Sequence, residues 1–173
     1  GVADNRGKLN KAVNENAREK FYRPTGGDSV TVMVYMCGTD LESKYGMATN
    51  DLIEMTKAKL SDNVNLIVYA GGAKAWKNSI VSASTNQIYQ IKDGKLRKLA
   101  DDNGQPSMTD PNTLVRFIEY CKQNFPANRN QLIFWDHGGG SVTGYGYDEN
   151  NSNTGSMNLS KIKSAIAATN IKY

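Results

Sequence analysis

The chain has 173 residues, of which 39% are hydrophobic and 22% charged, and its formal net charge is +4. These values are typical of a single globular domain with its own hydrophobic core. Basic residues are scattered without interleaved aromatics, and no apolar stretch approaches the about 20 residues that cross a bilayer, so we predict neither a nucleic-acid partner nor a transmembrane segment.

The first 27 residues are polar and end in Pro24-Thr25-Gly26-Gly27. The spacing of the few apolar residues allows a short helix over residues 8–21. We interpret residues 1–27 as a leader or tether and residues 28–173 as the core domain, with the two glycines at the boundary.

The first strong signal is the run Val30–Cys37, which is rich in β-branched residues and almost wholly apolar. Such a run is typical of a central strand covered on both faces. Thr39 and Glu42 have the spacing of a capping box, in which Thr39 caps a helix and Glu42 reaches back to its start. Apolar residues at helical spacing then predict one helix over residues 40–58.

A second buried strand is predicted over residues 64–70. Residues 88–91 and 95–99 read as a β-hairpin, because the Asp93-Gly94 pair between them suits the positive φ angles of a type I′ turn. Residues 79–84 are interpreted as a further short strand. The hairpin is taken as an antiparallel excursion beside the main sheet.

The next helix begins at Asp110-Pro111, since proline is favoured at the first helical position, and Pro126 stops it. Its apolar stripe consists of Leu114, Phe117, Ile118 and Cys121. A third buried strand is predicted over residues 131–135. Residues 141–157 are rich in Gly, Asn and Ser and predict a long surface loop, and a last helix begins near Asn158.

This order of elements predicts an α/β sandwich with a mostly parallel sheet and crossover helices. In such sheets the functional residues gather at the carboxyl ends of the strands. Cys37, Gly71 and His137 all fall at such ends.

His137 is the only histidine, and it stands between a predicted buried strand and the glycines 138–140. Histidine is the usual general base near neutral pH. The glycines let the backbone approach a ligand, and their N–H groups can face an oxyanion. The alternative is a histidine that is hydrogen-bonded at the start of a loop, where the glycines serve only the turn.

A catalytic base needs a nucleophile. Cys121 lies on an apolar helix stripe and is predicted to be a core residue. Cys37 ends the first strand at the same edge as His137, so the residues alone leave open both a Cys37–His137 dyad and a small buried side chain. Ser141 and Thr39 are weaker candidates for the same role.

The sequence carries no recognised zinc spacing, because one histidine and two distant cysteines do not form a ligand set. Asp148-Glu149 and nearby asparagines could ligate calcium, although the twelve-residue calcium loop pattern is missing. No glycine motif for nucleotide phosphates occurs either. The residues themselves therefore predict no cofactor-binding site.

Two segments resemble the clostripain-like cysteine peptidases: residues 34–42 are similar to their opening strand and helix start, and residues 132–138 to their third strand with its His-Gly. The resemblance extends in order over about residues 30–173. It implies a caspase-like α/β/α sandwich that is incomplete in this chain. It also implies that His137 is the catalytic histidine and that the Gly138 backbone N–H contributes to the oxyanion hole.

In that family the nucleophilic cysteine ends the next strand, in an Asp-Ala-Cys segment that this sequence does not contain. The resemblance therefore implies that the nucleophile lies on a partner segment, C-terminal to this chain or on a heavy chain. Under this reading Cys37 is not the nucleophile. It further implies a polypeptide substrate cut after Arg or Lys and a secreted or envelope location in a bacterium. Calcium is the one cofactor that the resemblance suggests, and nothing in the sequence locates a site for it.

The family often matures by cutting itself between the histidine and the cysteine. Residues 141–157 contain no Lys or Arg, so the only basic sites after His137 are Lys161, Lys163 and Lys172. Two other functions stay in competition with a peptidase. One is a non-catalytic caspase-like domain that binds peptides or serves as a scaffold, and the other is a flavodoxin-like domain for a small ligand.

Overall fold

The computed structural model describes residues 28–136 and 144–171. The leader or tether predicted over residues 1–27 lies outside the described residues. The described strands are β1 (Val30–Cys37), β2 (Val64–Gly71), β3 (Gln87–Lys92), β4 (Lys95–Asp101) and β5 (Arg129–Trp135). The helices are α1 (Thr39–Tyr45), α2 (Met47–Thr56), α3 (Pro111–Asn124) and α4 (Leu159–Thr169), with a 3-10 turn at Ser152–Thr154.

The five described strands form one sheet in the order β4-β3-β2-β1-β5. β1 runs parallel to both of its neighbours, so that Val34 lies opposite Val68 on one side and Ile133 on the other. β3 and β4 are antiparallel and continue the sheet beyond β2. The predicted mostly parallel sheet with a hairpin excursion is confirmed, and the sheet is not closed.

Hydrophobic cores lie on both faces of the sheet, as a sandwich requires. Alternate residues of β1 point to opposite faces, and Met36 joins Leu52 of α2 in one cluster. Tyr35 joins Phe117 of α3 in the other cluster, where the two rings stack with centroids 6.2 Å apart. Complete burial of such side chains stabilises the fold by about 1.5–3 kcal/mol each.

The single helix predicted over residues 40–58 is wrong, because the chain forms two helices with Gly46 between them. Gly46 adopts a left-handed φ of 64° and its N–H donates to the Glu42 carbonyl, which closes α1. A left-handed residue cannot continue an α-helix, and glycine adopts this conformation without steric cost.

The predicted capping box is also wrong. Thr39 is itself the first helical residue, with a φ of 55°, and its hydroxyl accepts from Leu41 N at 3.2 Å. The Glu42 carboxylate is fully buried and accepts hydrogen bonds from Thr49 and from Lys77 N instead of turning back. A buried carboxylate needs several donors, and these two supply them.

The hairpin is confirmed: Asp93 and Gly94 have φ angles of 53° and 71°, as a type I′ turn requires. The short strand predicted over residues 79–84 does not form. Its backbone bonds to side chains instead, since Asn78 Oδ1 accepts from Ile80 N at 2.9 Å and from Val81 N at 2.8 Å.

Helices α3 and α4 begin where the sequence places them. Asp110 accepts from Asn112 N at 2.9 Å to cap α3, and Asn158 accepts from Lys161 N at 2.8 Å to cap α4. The predicted stripe of α3 is buried.

The third strand was expected to be buried, and this is wrong for β5, whose Gln131 and Ile133 are exposed. The reason is its position, since β5 borders the sheet and no other described strand pairs with its outer edge. The opposite border, β4, exposes the charged Lys95, Lys98 and Asp101.

Candidate functional site

The carboxyl ends of β1, β2 and β5 meet at one edge of the sheet, as predicted. Cys37 lies opposite Gly71, and Met36 lies opposite Trp135. His137, Gly138 and Ser141 lie outside the described residues, so their roles stay predictions. The structure describes the frame around them, up to Asp136 on one side and from Gly144 on the other.

Residues 144–157 return across this edge, and we call them the strap. They were predicted to be a surface loop, but Tyr145, Asp148 and Met157 are buried. Tyr145 and Met157 exchange two backbone hydrogen bonds of 2.8 Å. The strap is therefore a packed part of the domain, held without a regular sheet.

Tyr145 fixes the strap to the ends of two strands. Its ring stacks on Tyr35 with centroids 5.3 Å apart and meets Phe134 edge-on at 5.1 Å. Its hydroxyl donates to Tyr35 O at 2.8 Å and lies 3.2 Å from Trp135 O. Burial raises the pKa of Tyr145 well above its ordinary value, so the group stays an O–H donor.

Asp136 makes a second connection between the strap and β5. Its Oδ2 accepts a hydrogen bond from Gly146 N at 2.5 Å. Gly146 has a φ of 82°, and its carbonyl accepts from Ser156 Oγ at 2.9 Å. The two described ends that flank residues 137–143 are thus joined directly.

The carboxylates of the strap are occupied by N–H and O–H donors. Asp148 is buried and accepts from Met108 N and Asn150 N, each at 2.8 Å. Glu149 accepts from Ser43 Oγ at 3.0 Å and from Lys74 N at 2.9 Å. The pair considered for calcium therefore serves different contacts, and within residues 28–136 and 144–171 no group of three or more acidic, Cys or His side chains could hold a metal ion.

Cys37 lies beneath the strap and is fully buried. Its thiol is 3.6 Å from Tyr147 O, and a Cβ atom added to Gly72 would lie 2.5 Å from its sulfur. Burial, and then the negative charge of Asp148, raise the pKa of Cys37 well above its ordinary value. A nucleophile must be an accessible thiolate, so the Cys37–His137 dyad is wrong and the interpretation as a small buried side chain is confirmed.

The other proposed nucleophiles that the structure describes are also enclosed. Cys121 is a buried core residue of α3, as predicted, and burial raises its thiol pKa. Thr39 is buried at the start of α1. Neither side chain can meet a substrate in this fold.

The end of β5 differs from that of β1 because it is partly open. Trp135 Nε1 donates to Asp51 Oδ2 at 2.5 Å, a contact that the sequence did not indicate because Asp51 reads as one of several polar residues on α2. A groove of about 480 Å³ follows the free side of the strand. It is lined by Asn130, Gln131, Leu132, Ile133, Phe134 and Ile166.

No helix in the described part of the chain is long and apolar enough for a membrane span.

Comparison with known proteins agrees with the resemblance in sequence. The model of the clostripain family, peptidase family C11, matches residues 34–172. Clostripain of Hathewaya histolytica is 33% identical over 127 residues, which make up 65% of this chain and 24% of that protein. The chain thus spans about a quarter of the curated relative that it matches.

Solved structures share the fold. A secreted C11 cysteine protease from Bacteroides thetaiotaomicron, in complex with an irreversible peptide inhibitor, superimposes with a TM-score of 0.62 at 20% identity over 84% of this chain and 41% of that one. An inactive zymogen C11 protease from Parabacteroides distasonis gives 0.58 at 20% identity, over 83% and 40%. At this identity the likeness establishes the architecture, a mixed α/β sandwich with an open sheet.

Proposed function

Because the chain belongs to the clostripain family of cysteine peptidases, we propose that it forms the histidine-bearing part of a cysteine endopeptidase. His137 is the catalytic histidine of this proposal, and the Gly138 N–H contributes to the oxyanion hole. The observation that carries it is the contrast between two neighbouring strands: the end of β1 is fully covered, whereas β5, which leads into His137, borders an open groove along its free side as far as Phe134 and is partly exposed at its end.

The nucleophile of this proposal comes from a segment C-terminal to the chain. The sequence contains two cysteines, and both are buried. A strand added parallel to β5 on its free side would end beside the residue that follows Asp136. Its side chains would cover Ile133, which is 46% exposed.

The end of α4 supports such an addition. Lys122 Nζ donates to the carbonyl of Thr169 at 3.0 Å, so α4 ends beside the C-terminal part of α3. Thr31, in the first half of β1, donates to Phe125 O at 2.7 Å, which puts that part of α3 at the amino edge of the sheet. A parallel strand starts at this amino edge, so the chain leaves α4 on the correct side.

The proposed reaction is an acyl transfer. The cysteine thiolate attacks the scissile carbonyl carbon, a C–S bond forms, and the Gly138 N–H stabilises the oxyanion. His137 gives a proton to the leaving amine as the C–N bond breaks. Water then attacks the thioester carbonyl and gives one proton to His137, the C–S bond breaks to restore the thiolate, and the acid product loses its remaining proton to solvent as a carboxylate.

We further propose cleavage after Arg or Lys, in a protein exported to the envelope or medium. If the protein matures by self-cleavage, the basic residues that this chain offers after His137 are Lys161, Lys163 and Lys172. Lys161 and Lys163 are exposed but lie within α4, so a cut there needs local opening of the helix. Calcium dependence stays a prediction of the resemblance, and activity measured with and without EDTA tests it.

The test is an assay of the full-length protein on peptides that contain one Arg or Lys, with matched peptides that carry Ala there. We expect cleavage after the basic residue and a loss of about 10²–10⁴-fold in kcat for His137→Ala. Activity that survives His137→Ala contradicts the proposed role. A folded full-length protein that cleaves none of the peptides favours the non-catalytic, peptide-binding alternative.

A further inference from the structure

Asp136 stands next to the proposed catalytic histidine in sequence, yet its carboxylate is engaged by the strap. The acceptor Oδ2 lies 2.5 Å from Gly146 N, ten residues further along the chain. A hydrogen bond to an ionised acceptor is about twice as strong as one between neutral groups. This bond therefore couples the last described residue of the β5 end to a defined point of the strap.

The donor of this bond is itself held in place. A Cβ atom on Gly146 would lie 3.0 Å from Thr109 Cγ2 and 3.8 Å from Cys37 Sγ, so the strap backbone packs closely against both side chains. The preceding residue, Tyr145, is bridged to Met157. Asp136 thus binds to an N–H that is also held by contacts with residues outside β5.

A second contact runs in parallel. The Tyr145 hydroxyl donates to Tyr35 O at 2.8 Å and lies 3.2 Å from Trp135 O, so the backbone just before Asp136 faces the same anchor. Two consecutive residues at the end of β5 thus contact the strap, Trp135 through its main-chain carbonyl and Asp136 through its side-chain carboxylate. These contacts fix the end of β5 as far as Asp136.

We infer that Asp136 is a positioning residue of the peptidase, which sets the place of the residue after it by holding the end of β5 against Gly146. This inference rests on the proposed function, since it concerns the same reaction. Catalytic groups must be held within about 0.5 Å of their productive geometry. An error of about 1 Å can cost about a hundredfold in rate.

The experiment uses Asp136→Ala and Asp136→Asn in the full-length protein, assayed on an Arg-containing peptide. We expect kcat to fall by about tenfold to a hundredfold for Asp136→Ala, with KM within about twofold. Asp136→Asn should retain more activity than Asp136→Ala, because the amide oxygen can still accept from Gly146 N without the charge. Asparagine also keeps the shape of the side chain if Asp136→Ala does not fold.

The matched controls are Glu149→Ala and Glu149→Gln, which remove another strap carboxylate that holds a backbone N–H, on the side of α1 and β2. We expect them to lower the thermal unfolding midpoint while kcat changes by less than about threefold. Equal losses of kcat in the Asp136 and Glu149 variants would overturn the inference, as would an unchanged kcat in Asp136→Ala. If His137→Ala is inactive and Asp136→Ala is fully active, only this inference fails, whereas an active His137→Ala removes the proposed function itself.

Discussion

The carboxyl ends of β1 and β5 are neighbours in the sheet, but their surroundings differ. At the end of β1 the strap covers Cys37 completely, and Tyr147 and Gly72 pack against its thiol. At the end of β5 the strap makes contact through Asp136, and the outer side of the strand borders an open groove. The same fourteen-residue segment thus closes one strand end and leaves the other accessible.

This difference shows that a position at the edge of a parallel sheet is not sufficient for chemistry. Burial keeps Cys37 as an uncharged thiol, and no substrate can reach it. In the proposed function the reactive pair forms beside β5, the strand whose end is less covered. In our inference, the strap that covers the end of β1 also positions the end of β5, through the hydrogen bond from Gly146 N to Asp136.

Thiol alkylation gives the largest expected effect. In the native chain iodoacetamide should modify Cys37 at least about a thousandfold more slowly than in denaturant, because an opening of about 4 kcal/mol must precede reaction. Intact-mass measurements over time check this. Cys121, buried in α3, is an internal control that should be protected similarly.

Rapid native labelling of Cys37 would contradict the closed end of β1. In the full-length protein, Cys37→Ala should keep peptidase activity, since the proposed nucleophile lies elsewhere. A complete loss of activity in this variant, with unchanged folding, would restore Cys37 as a nucleophile.

A pair of isoleucines gives the next largest effect. Ile67 of β2 is fully buried, whereas Ile133 of β5 is 46% exposed. Ile67→Ala should lower the free energy of unfolding by about 2–5 kcal/mol, because it leaves a cavity. Ile133→Ala should cost less than about 1 kcal/mol in the 173-residue chain.

Urea unfolding of both variants measures these losses. In the full-length protein the cost of Ile133→Ala should rise towards that of Ile67→Ala, because the proposed strand would cover this side chain. An unchanged small cost there would argue against a strand on the free side of β5.

The smallest effect concerns pH at the covered end. Burial raises the pKa of Glu42 above its ordinary value of 4.5, against hydrogen bonds from Lys77 N and Thr49 that lower it. The protonated form is thus favoured by folding, and its stabilising contribution is present below pH 4.5 and lost as the pH rises through the folded value. We therefore measure the free energy of unfolding of the native protein and of Glu42→Gln as a function of pH. The difference, native minus variant, should fall as the pH rises from 4.5 through the folded pKa of Glu42.

Asp101 of β4 is the control with the opposite sign. The Gln87 hydrogen bond lowers the pKa of Asp101 below its ordinary value of 3.8. Its stabilising contribution is present above pH 3.8 and lost as the pH falls through the folded value. The free energy of unfolding of the native protein minus that of Asp101→Asn should therefore rise with pH. If the differences for Glu42→Gln and Asp101→Asn changed with pH in the same direction, both pKa assignments would be contradicted.

Most strands and helices could be predicted because their signals are local. The β-branched runs of β1 and β2 reflect burial on two faces, Asp93-Gly94 determines the hairpin turn, and Asp110-Pro111 marks the start of α3. The break at Gly46 was missed because apolar residues keep helical spacing across it.

The features that sequence could not give depend on distant contacts. Cys37 is closed off by Tyr147, which lies 110 residues away, and nothing near Cys37 in sequence signals this. The border position of β5 is equally hidden, since Leu132–Trp135 is apolar wherever the strand lies in the sheet. The roles of His137 and Gly138 stay predictions, as both lie outside the described residues.

The two edge strands of the sheet, β4 and β5, differ in how readily a further strand could pair with them. β4 presents Lys95, Lys98 and Asp101 to solvent, and such charges discourage a further strand from pairing. β5 has one exposed charge, Arg129 at its first position, and presents the uncharged Gln131 and Ile133 further along. For the C-terminal strand of the proposed function, the uncharged stretch of β5 after Arg129 is therefore a better border for pairing than β4.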